Sequence, residues 1–188
     1  MRHGSQKKHG DGSKTSGIRL LSFGSPDLSI AGPRRRARAP SQEMLPVVHE
    51  QIARTVGALL IGSDGKVLLG LRAPWKKAWP RHWDTIGGHV ENGESLDDAL
   101  IRELQEEVGV TPTRFRLVAT VRERQPDIYG DALHHVYAVT RWQGGDPANI
   151  CDEHTELKWF SVGEMRLLTN IVDADYPLFA EQAMSEGL

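Results

Sequence analysis

The chain has 188 residues, of which 39% are hydrophobic and 26% are charged, and its formal net charge at pH 7 is −2. This length is sufficient to bury the core of one ordinary domain, with some residues left over. No apolar run is long enough to span a membrane. Cys151 is the only cysteine, which excludes an intramolecular disulfide and a zinc site built from cysteines, and which fits a reducing compartment such as the cytoplasm.

The front of the chain differs in charge from the rest. Residues 1–45 carry nine Lys/Arg and three Asp/Glu, a net charge of +6, whereas the remainder carries 14 Lys/Arg and 22 Asp/Glu, a net charge of −8. With so few aromatic residues, this segment cannot bury enough apolar surface to order itself. We expect a disordered basic extension over residues 1–45 and one domain over residues 46–188. A translation start at Met44, a transit peptide and a nucleic-acid-binding arm are alternative interpretations of the extension.

The domain begins with two apolar segments that predict a β-hairpin. They cover residues 54–61 and 66–71, and the turn between them contains the glycines that a hairpin requires. A loop over residues 72–83 follows, which is rich in tryptophan, proline and basic residues.

An amphipathic segment then predicts a helix that begins near Ser95 and ends at Gly109. Ser95 is a suitable N-cap and Gly109 a suitable C-cap. Apolar residues recur at helical spacing and should form the buried stripe: Leu96, Ala99, Leu100, Leu104 and Val108. Glu103, Glu106 and Glu107 share one helix face, which we expect to lie opposite the core.

The second half of the chain predicts three more strands and two more helices. The strands are expected at residues 114–122, 133–142 and 156–162, and the helices at residues 163–168 and 176–184. Mixed strands with one helix between them and helices at the end predict an α/β sandwich.

The spacing of charged residues around the first helix forms a longer motif. Gly88 is followed after five residues by Glu94, and after seven more by RELQEEVGV at residues 102–110. This pattern resembles the Nudix box, G-x5-E-x7-R-E-U-x-E-E-x-G-U with U aliphatic, and all nine specified positions are filled. The resemblance implies a Nudix-type α/β/α sandwich with a mixed central β-sheet and a MutT-like, metal-dependent hydrolase. Ile86 is a departure, because many relatives have proline before the paired glycines.

Stacked carboxylates repel one another unless a cation lies among them, and an oxygen-only ligand set suits Mg²⁺ or Mn²⁺. The resemblance implies the following ligands for such an ion: the carbonyl of Gly88 and the carboxylates of Glu103, Glu106 and Glu107. Arg102 should pair with Glu94, hold the loop against the helix and orient the ligands. Arg102, Glu94, Glu103 and Glu106 are therefore the candidate catalytic residues. The alternative interpretation is a solvated acidic helix face.

The general base has candidates inside and outside the box. Glu106 is the candidate within the box. Three acids in loops that follow strands are the candidates outside it: Glu123, Asp127 and Glu153. Each of these three can equally be an ordinary surface acid.

Substrate contacts are predicted from the basic, aromatic loop before the box and from one strand. We expect Trp83 and Arg81 to contact substrate by stacking or by binding phosphate, although Trp83 can also be a core residue. Only one of His134 and His135 can face the site, since neighbouring strand residues point to opposite faces. We chose His135.

The expected function is hydrolysis of a diphosphate bond in a nucleoside diphosphate linked to another moiety, with nucleoside triphosphates as the favoured substrates. Nucleotide sugars and dinucleotides are the next alternatives. A non-catalytic nucleotide sensor, an enzyme like isopentenyl diphosphate isomerase and an RNA-cap hydrolase are further ones. The expected partner is a small nucleotide-type substrate, and a homodimer is an option for the oligomeric state. Neither a membrane nor a nucleic acid is expected as a partner.

Overall fold

The computed structural model describes residues 52–187. The extension predicted for residues 1–45 lies outside these residues and stays a prediction. Within the described part of the chain, none of the helices combines the length and the apolar character needed to cross a membrane.

Six strands form one mixed sheet. They are β1 (Ala53–Ile61), β2 (Val67–Arg72), β3 (Trp83–Asp84), β4 (Thr111–Arg122), β5 (Ala132–Gln143) and β6 (His154–Phe160). The order is β3-β2-β1-β5-β4, with β6 paired to β2. Strand β1 runs parallel to β5, and the other pairs are antiparallel. The mixed central sheet expected from the sequence is confirmed.

Residues 52–187 also form four helices: α1 (Leu96–Val108), α2 (Pro126–Tyr129), α3 (Val162–Met165) and α4 (Tyr176–Ser185). Two hydrophobic clusters lie on opposite faces of the sheet. Residues of α1 pack in one cluster, with Leu60 and Val139, and residues of α3 and α4 pack in the other, with Leu59 and Ala138. The alternation of neighbouring residues between the clusters follows the two-residue period of a strand. The structure is therefore the expected α/β/α sandwich.

Helix α1 has the ends predicted from the sequence. The Ser95 side chain accepts a hydrogen bond from the backbone N–H of Asp98 at 3.1 Å. Gly109 closes the helix with φ 73°, in the left-handed region that favours glycine. The predicted position of the glutamate face is wrong in part. Glu103 and Glu107 are buried beside the apolar stripe, and only Glu106 is exposed.

The remaining differences concern the ends of elements and one additional helix. Strand β4 begins at Thr111 rather than residue 114, because its pairing with β5 continues to Gln143. Strand β6 ends at Phe160, because Ser161 caps α3 through a capping box with Glu164. The one-turn helix α2 lies in a segment that we expected to be a loop.

Leu100 is completely buried in the cluster beneath α1. We expect Leu100→Ala to lower the free energy of unfolding by about 2–5 kcal/mol, because the substitution removes apolar contacts and leaves a cavity. Urea denaturation followed by circular dichroism measures this change. The control is Leu167→Ala, at a side chain that is 82% exposed, for which a change within about 0.5 kcal/mol is expected. Equal effects of the two substitutions would contradict the assignment of this core.

Candidate active site

A cavity of about 570 Å³ lies beside the loop that leads into α1. Its wall comes from strand residues, the aromatic loop before the box, the box itself, the loop before β6 and the start of α4. Its lining residues include Arg72, Lys76, Lys77, Trp79, Asp84, Gly88, Glu103, Glu123, His134, Glu153 and Tyr176. Acidic and basic groups therefore face the same space.

The paired glycines allow the box loop to approach the sheet and the helix. At Gly87, with φ 150°, a Cβ atom would lie 2.2 Å from the carbonyl oxygen of Val56. At Gly88 it would lie 2.6 Å from Glu103 Oε1, and the Gly88 carbonyl accepts a hydrogen bond from the Val56 N–H at 2.9 Å. Neither position has room for a larger residue, and the backbone at Gly88 is held against the Glu103 carboxylate.

Arg102 connects the loop to the acidic helix. Its guanidinium donates two hydrogen bonds to Glu94, at 2.9 and 3.0 Å, which confirms the predicted pairing. Nη1 donates to Glu103 at 2.8 Å and to Glu106 at 3.2 Å, and Nη2 donates to the carbonyl of His89 at 2.9 Å. The hydrogen bond from Arg102 lowers the pKa of Glu94, and the paired acids raise the pKa of Arg102. The Arg102 guanidinium therefore stays a cation at any ordinary pH.

Two of the box carboxylates are buried. Glu103 is 9% exposed and Glu107 is 3% exposed. Burial raises the pKa of Glu103, although Arg102 acts against this. Burial, with the charges of Glu153 and Glu103, raises the pKa of Glu107 to about 9. Packing such acids together is costly without a cation to balance them.

Glu153, from the loop before β6, extends the acidic group toward the cavity. Its carboxylate forms a salt bridge with Lys76 of the aromatic loop. Burial acts to raise the pKa of Glu153, but the hydrogen bond from Lys76 brings it below its ordinary value. Of the base candidates outside the box, Glu153 is the one placed beside the box glutamates. Asp127 is exposed on α2, away from the cavity lining.

The arrangement fits a divalent cation. The Glu107 backbone is fixed in α1, and its Oε2 accepts a hydrogen bond from the Gly87 N–H at 3.0 Å. Its Oε1 is buried without a hydrogen-bond partner among the described residues, and buried polar atoms normally have one. Glu103 and Glu106 converge on the same Arg102 nitrogen. Hard oxygen donors gathered in this way suit Mg²⁺ or Mn²⁺.

The other end of the cavity contains a hydrogen-bonded group that the sequence motif does not include. Trp79 Nε1 donates to both oxygens of Glu123, at 3.3 and 3.2 Å. Glu123 is also hydrogen-bonded to His134 Nε2 at 3.2 Å, and His134 Nδ1 to Thr55 Oγ1 at 2.7 Å. Trp79 has φ 49°, an uncommon conformation for a residue other than glycine. With a further hydrogen bond from the Gln125 N–H at 2.8 Å, these contacts fix the buried Glu123 carboxylate beside the cavity.

The three residues predicted to bind substrate, Trp83, Arg81 and His135, do not line the cavity. Trp83 is 8% exposed, and its ring packs edge-on against Phe160, so the core interpretation of Trp83 is the correct one. Arg81 is exposed and does not line the cavity. His135 points to the opposite face, where Nδ1 contacts Thr120 Oγ1 at 3.0 Å. His134 lines the cavity, which corrects our choice between the two histidines.

Sequence reasoning also missed a contact between distant segments. Asp84 accepts a hydrogen bond from Arg72 at 2.9 Å and one from the hydroxyl of Tyr176 at 2.8 Å. Burial, reinforced by Asp84, raises the pKa of Tyr176 well above its ordinary value, so the hydroxyl remains a donor. No local signal relates Asp84 to Tyr176, because they are brought together only by the packing of α4 on the sheet.

This fold and this acidic group define a class, the metal-dependent hydrolases of diphosphate bonds. The sequence model of the NUDIX domain matches residues 51–182. Among solved structures, the MutT Nudix hydrolase from Burkholderia pseudomallei has a TM-score of 0.61 at 26% identity, over 71% of this chain and 98% of that one. The chain belongs to the Nudix hydrolase family.

Curated relatives include proteins of more than one activity. The CTP pyrophosphohydrolase of Escherichia coli (strain K12) is 37% identical over 124 residues, which cover 65% of this chain and 86% of that protein. The nucleoside triphosphatase NudI of Salmonella newport is 38% identical over 127 residues, covering 61% and 86%. An isopentenyl-diphosphate Delta-isomerase of Paenarthrobacter aurescens is 43% identical over 100 residues, covering only 50% and 54%.

Arg102→Lys tests the contacts that hold the box together. A lysine ammonium cannot reproduce the planar fork that binds Glu94 and Glu103 together. We expect the affinity for Mn²⁺ to fall by about 10–100-fold, as is typical when a group that orients metal ligands is lost. Electron paramagnetic resonance of free Mn²⁺ measures this. The control is Arg166→Lys, in the exposed pair with Glu181; if both variants bind Mn²⁺ like the wild type, Arg102 does not orient the ligands.

Proposed function

We propose that this protein is a nucleoside triphosphate pyrophosphohydrolase, which converts its substrate and water into a nucleoside monophosphate and pyrophosphate. The observation that carries this proposal is the shared cavity: Glu103 of the box faces the same space as the Lys76 ammonium and the Trp79 ring. A metal-bound phosphate chain requires an acidic group such as Glu103 and a cation such as Lys76. A nucleobase requires an aromatic ring such as that of Trp79. The similarity to a CTP pyrophosphohydrolase and to NudI supports the same substrate class.

The metal site is proposed at the box. Glu103, Glu106 and Glu107 and the Gly88 carbonyl would hold Mg²⁺ or Mn²⁺, with Arg102 and Glu94 keeping the loop and helix together. A divalent cation supplies charge neutralisation at the phosphate oxygens and lowers the pKa of a bound water. Burial of the carboxylates strengthens their electrostatic interaction with a cation, since little water screens them.

Glu153 is the general base that the geometry favours. It lines the cavity, lies beside Glu107, and is kept ionised by Lys76. Its carboxylate would accept the proton of the attacking water while the oxygen of that water bonds to phosphorus and the bond to the pyrophosphate leaving group breaks. Glu106, our choice within the box, has a side chain that is 61% exposed and is held by Arg102. It is better placed as a ligand.

The basic residues of the loop bind the phosphate chain in this proposal. Lys76 and Lys77 line the cavity near the box, and Arg72 lines it beside Asp84. At the other end, Trp79 and Glu123 provide an aromatic ring and a carboxylate acceptor for a nucleobase. An acceptor of this kind binds an amino group on the base. A cavity of about 570 Å³ accommodates a nucleotide.

The alternative functions are less well supported by the site. Nucleotide sugars and dinucleotides share the diphosphate chemistry and remain the second choice. The isomerase reaction expected of a protein like isopentenyl diphosphate isomerase is not favoured, because Trp79, Glu123 and His134 form a polar contact that an isoprenoid tail does not need. A sensor without activity is not favoured, because all box glutamates are present. The cytoplasmic location and the homodimer stay predictions.

Two measurements test this proposal: the products that the wild-type protein forms from different substrates, and the activity of Glu107→Gln. Wild-type protein with Mg²⁺ should convert CTP or another triphosphate to the monophosphate and pyrophosphate. We expect Glu107→Gln to lower kcat by at least about 100-fold, more than is typical for groups that only orient a ligand, while the nucleotide still binds. The matched control is Glu156→Gln, at an exposed position on β6. Efficient cleavage of ADP-ribose or a dinucleotide, with every triphosphate untouched, would show that the substrate class is wrong.

The choice of base predicts a difference between two variants. Glu153→Gln should lower kcat by about 10²–10⁴-fold, the usual contribution of a general base, with little change in KM. Glu106→Gln should instead weaken Mg²⁺ activation, so that excess Mg²⁺ restores part of the rate. Steady-state kinetics over a range of Mg²⁺ concentrations separates these effects. If Glu153→Gln is the variant rescued by Mg²⁺, the two roles are reversed.

A further inference from the structure

A second group of potential metal ligands includes one residue of the box and two residues from the segment that leads into β6. A carboxylate oxygen of Glu107, Sγ of Cys151 and a ring nitrogen of His154 all lie within 4.8 Å of one another. This group differs in kind from the oxygen ligands of Glu103 and Glu106, since it combines sulfur, nitrogen and oxygen. Only Glu107 belongs to both.

Hydrogen bonds between the end of α1 and the loop that contains Cys151 place Cys151 close to Glu107. The N–H groups of Ala148 and Ile150 donate to the carbonyls of Val108 and Glu107, both at 3.1 Å. Asn149 Nδ2 donates to the carbonyl of His154 at 2.7 Å, which closes the loop between Cys151 and the start of β6. The thiol is therefore positioned by backbone contacts on both sides.

The His154 ring occupies space that a side chain at position 70 would fill, and Gly70 leaves this space open. A Cβ atom at Gly70 would lie 2.2 Å from Cδ2 of the His154 ring and 2.6 Å from Nε2. The opposite nitrogen, Nδ1, lies 4.0 Å from Glu107 Oε2. The ring is thus oriented by β2, with Nδ1 directed to the side of Glu107.

Two buried polar atoms of this group, one on His154 and one on Glu107, have no hydrogen-bond partner among the described residues. His154 is 5% exposed, and its Nδ1 has no hydrogen-bond partner in the described part of the chain. The same is true of Oε1 of the buried Glu107. Buried donors and acceptors are normally paired, so two unpaired atoms at one place point to a ligand. Cys151 Sγ lies 3.9 Å from Asn149 Oδ1, a long contact for its S–H donor, and backbone N–H groups of Glu153 and His154 act to lower the pKa of the thiol.

We propose that Glu107, Cys151 and His154 form a binding site for Zn²⁺ or a similar borderline-soft cation, separate from the Mg²⁺ ligand set and sharing Glu107 with it. Zinc accepts thiolate, imidazole and carboxylate ligands together in a four-coordinate arrangement. Magnesium prefers oxygen and does not gain from the sulfur. Binding exchanges the Sγ–H proton of Cys151 for a metal–sulfur bond, and this proton is released to solvent.

Sharing of Glu107 makes the two cations competitors. A zinc ion held by Cys151 and His154 would occupy the carboxylate that Mg²⁺ needs in the proposed function, so added zinc should inhibit the Mg²⁺-supported reaction. This second statement rests on the proposed function, whereas the binding site itself does not. The protein would then be active only where free zinc is scarce.

The test compares wild type with Cys151→Ser and with Asp152→Asn, an exposed neighbour, using the full chain under a reductant that does not bind metal. Zinc affinity is measured by competition with a chromophoric chelator. We expect Cys151→Ser to weaken it by at least about tenfold, the lower end of the cost of losing a group that merely orients a ligand. Asp152→Asn should leave it unchanged. Since His3, His9 and His49 occur in all three proteins, zinc bound elsewhere cancels in the comparison.

Cobalt provides a readout that does not depend on activity. Co²⁺ bound to the wild type should show a thiolate-to-metal charge-transfer band in the near ultraviolet, and this band should be missing from Cys151→Ser. Equal zinc affinity in wild type and Cys151→Ser, or a cobalt spectrum without the band, would overturn the proposed site. If the band is present but zinc does not inhibit the Mg²⁺-supported reaction, the site stands and the shared use of Glu107 is wrong.

Discussion

The site depends on the hydrogen bonds between Arg102 and the carboxylates around it. One guanidinium joins Glu94 of the loop to Glu103 and Glu106 of α1. Without this cation, the loop and the helix would present only like charges to each other. With it, the Gly88 backbone can lie against Glu103, and the acids form one group instead of separating. The same contact explains how Glu103 can be buried, whereas the buried Glu107 carboxylate accepts its hydrogen bond from the Gly87 N–H.

Much of the fold could be read from the sequence because its signals are local. The alternation of apolar residues predicts β1 and β5, and the caps at Ser95 and Gly109 predict both ends of α1. The pairing of Arg102 with Glu94 could also be predicted, since a fixed motif spacing carries it. The ends of strands are harder to predict than the strands themselves. The start of β4, for example, depends on how far its partner β5 extends.

The substrate end of the site could not be predicted in the same way. Asp84 and Tyr176 are far apart in the chain and meet only through packing. The choice between His134 and His135 depends on the register of β5, where a shift of one residue exchanges the two faces. The burial of Glu103 and Glu107 follows from the position of α1 on the sheet, and helical spacing alone indicated that these side chains would face solvent.

Placing the carboxylates in the last two turns of α1 has a thermodynamic consequence. A cation that binds only the folded chain raises its stability by mass action, by about 2.7 kcal/mol when the free concentration is 100 times the dissociation constant. The end of α1 is also where Val108 and Glu107 hold the loop that contains Ala148 and Ile150. A cation bound at the proposed site would therefore also protect this loop from amide hydrogen exchange.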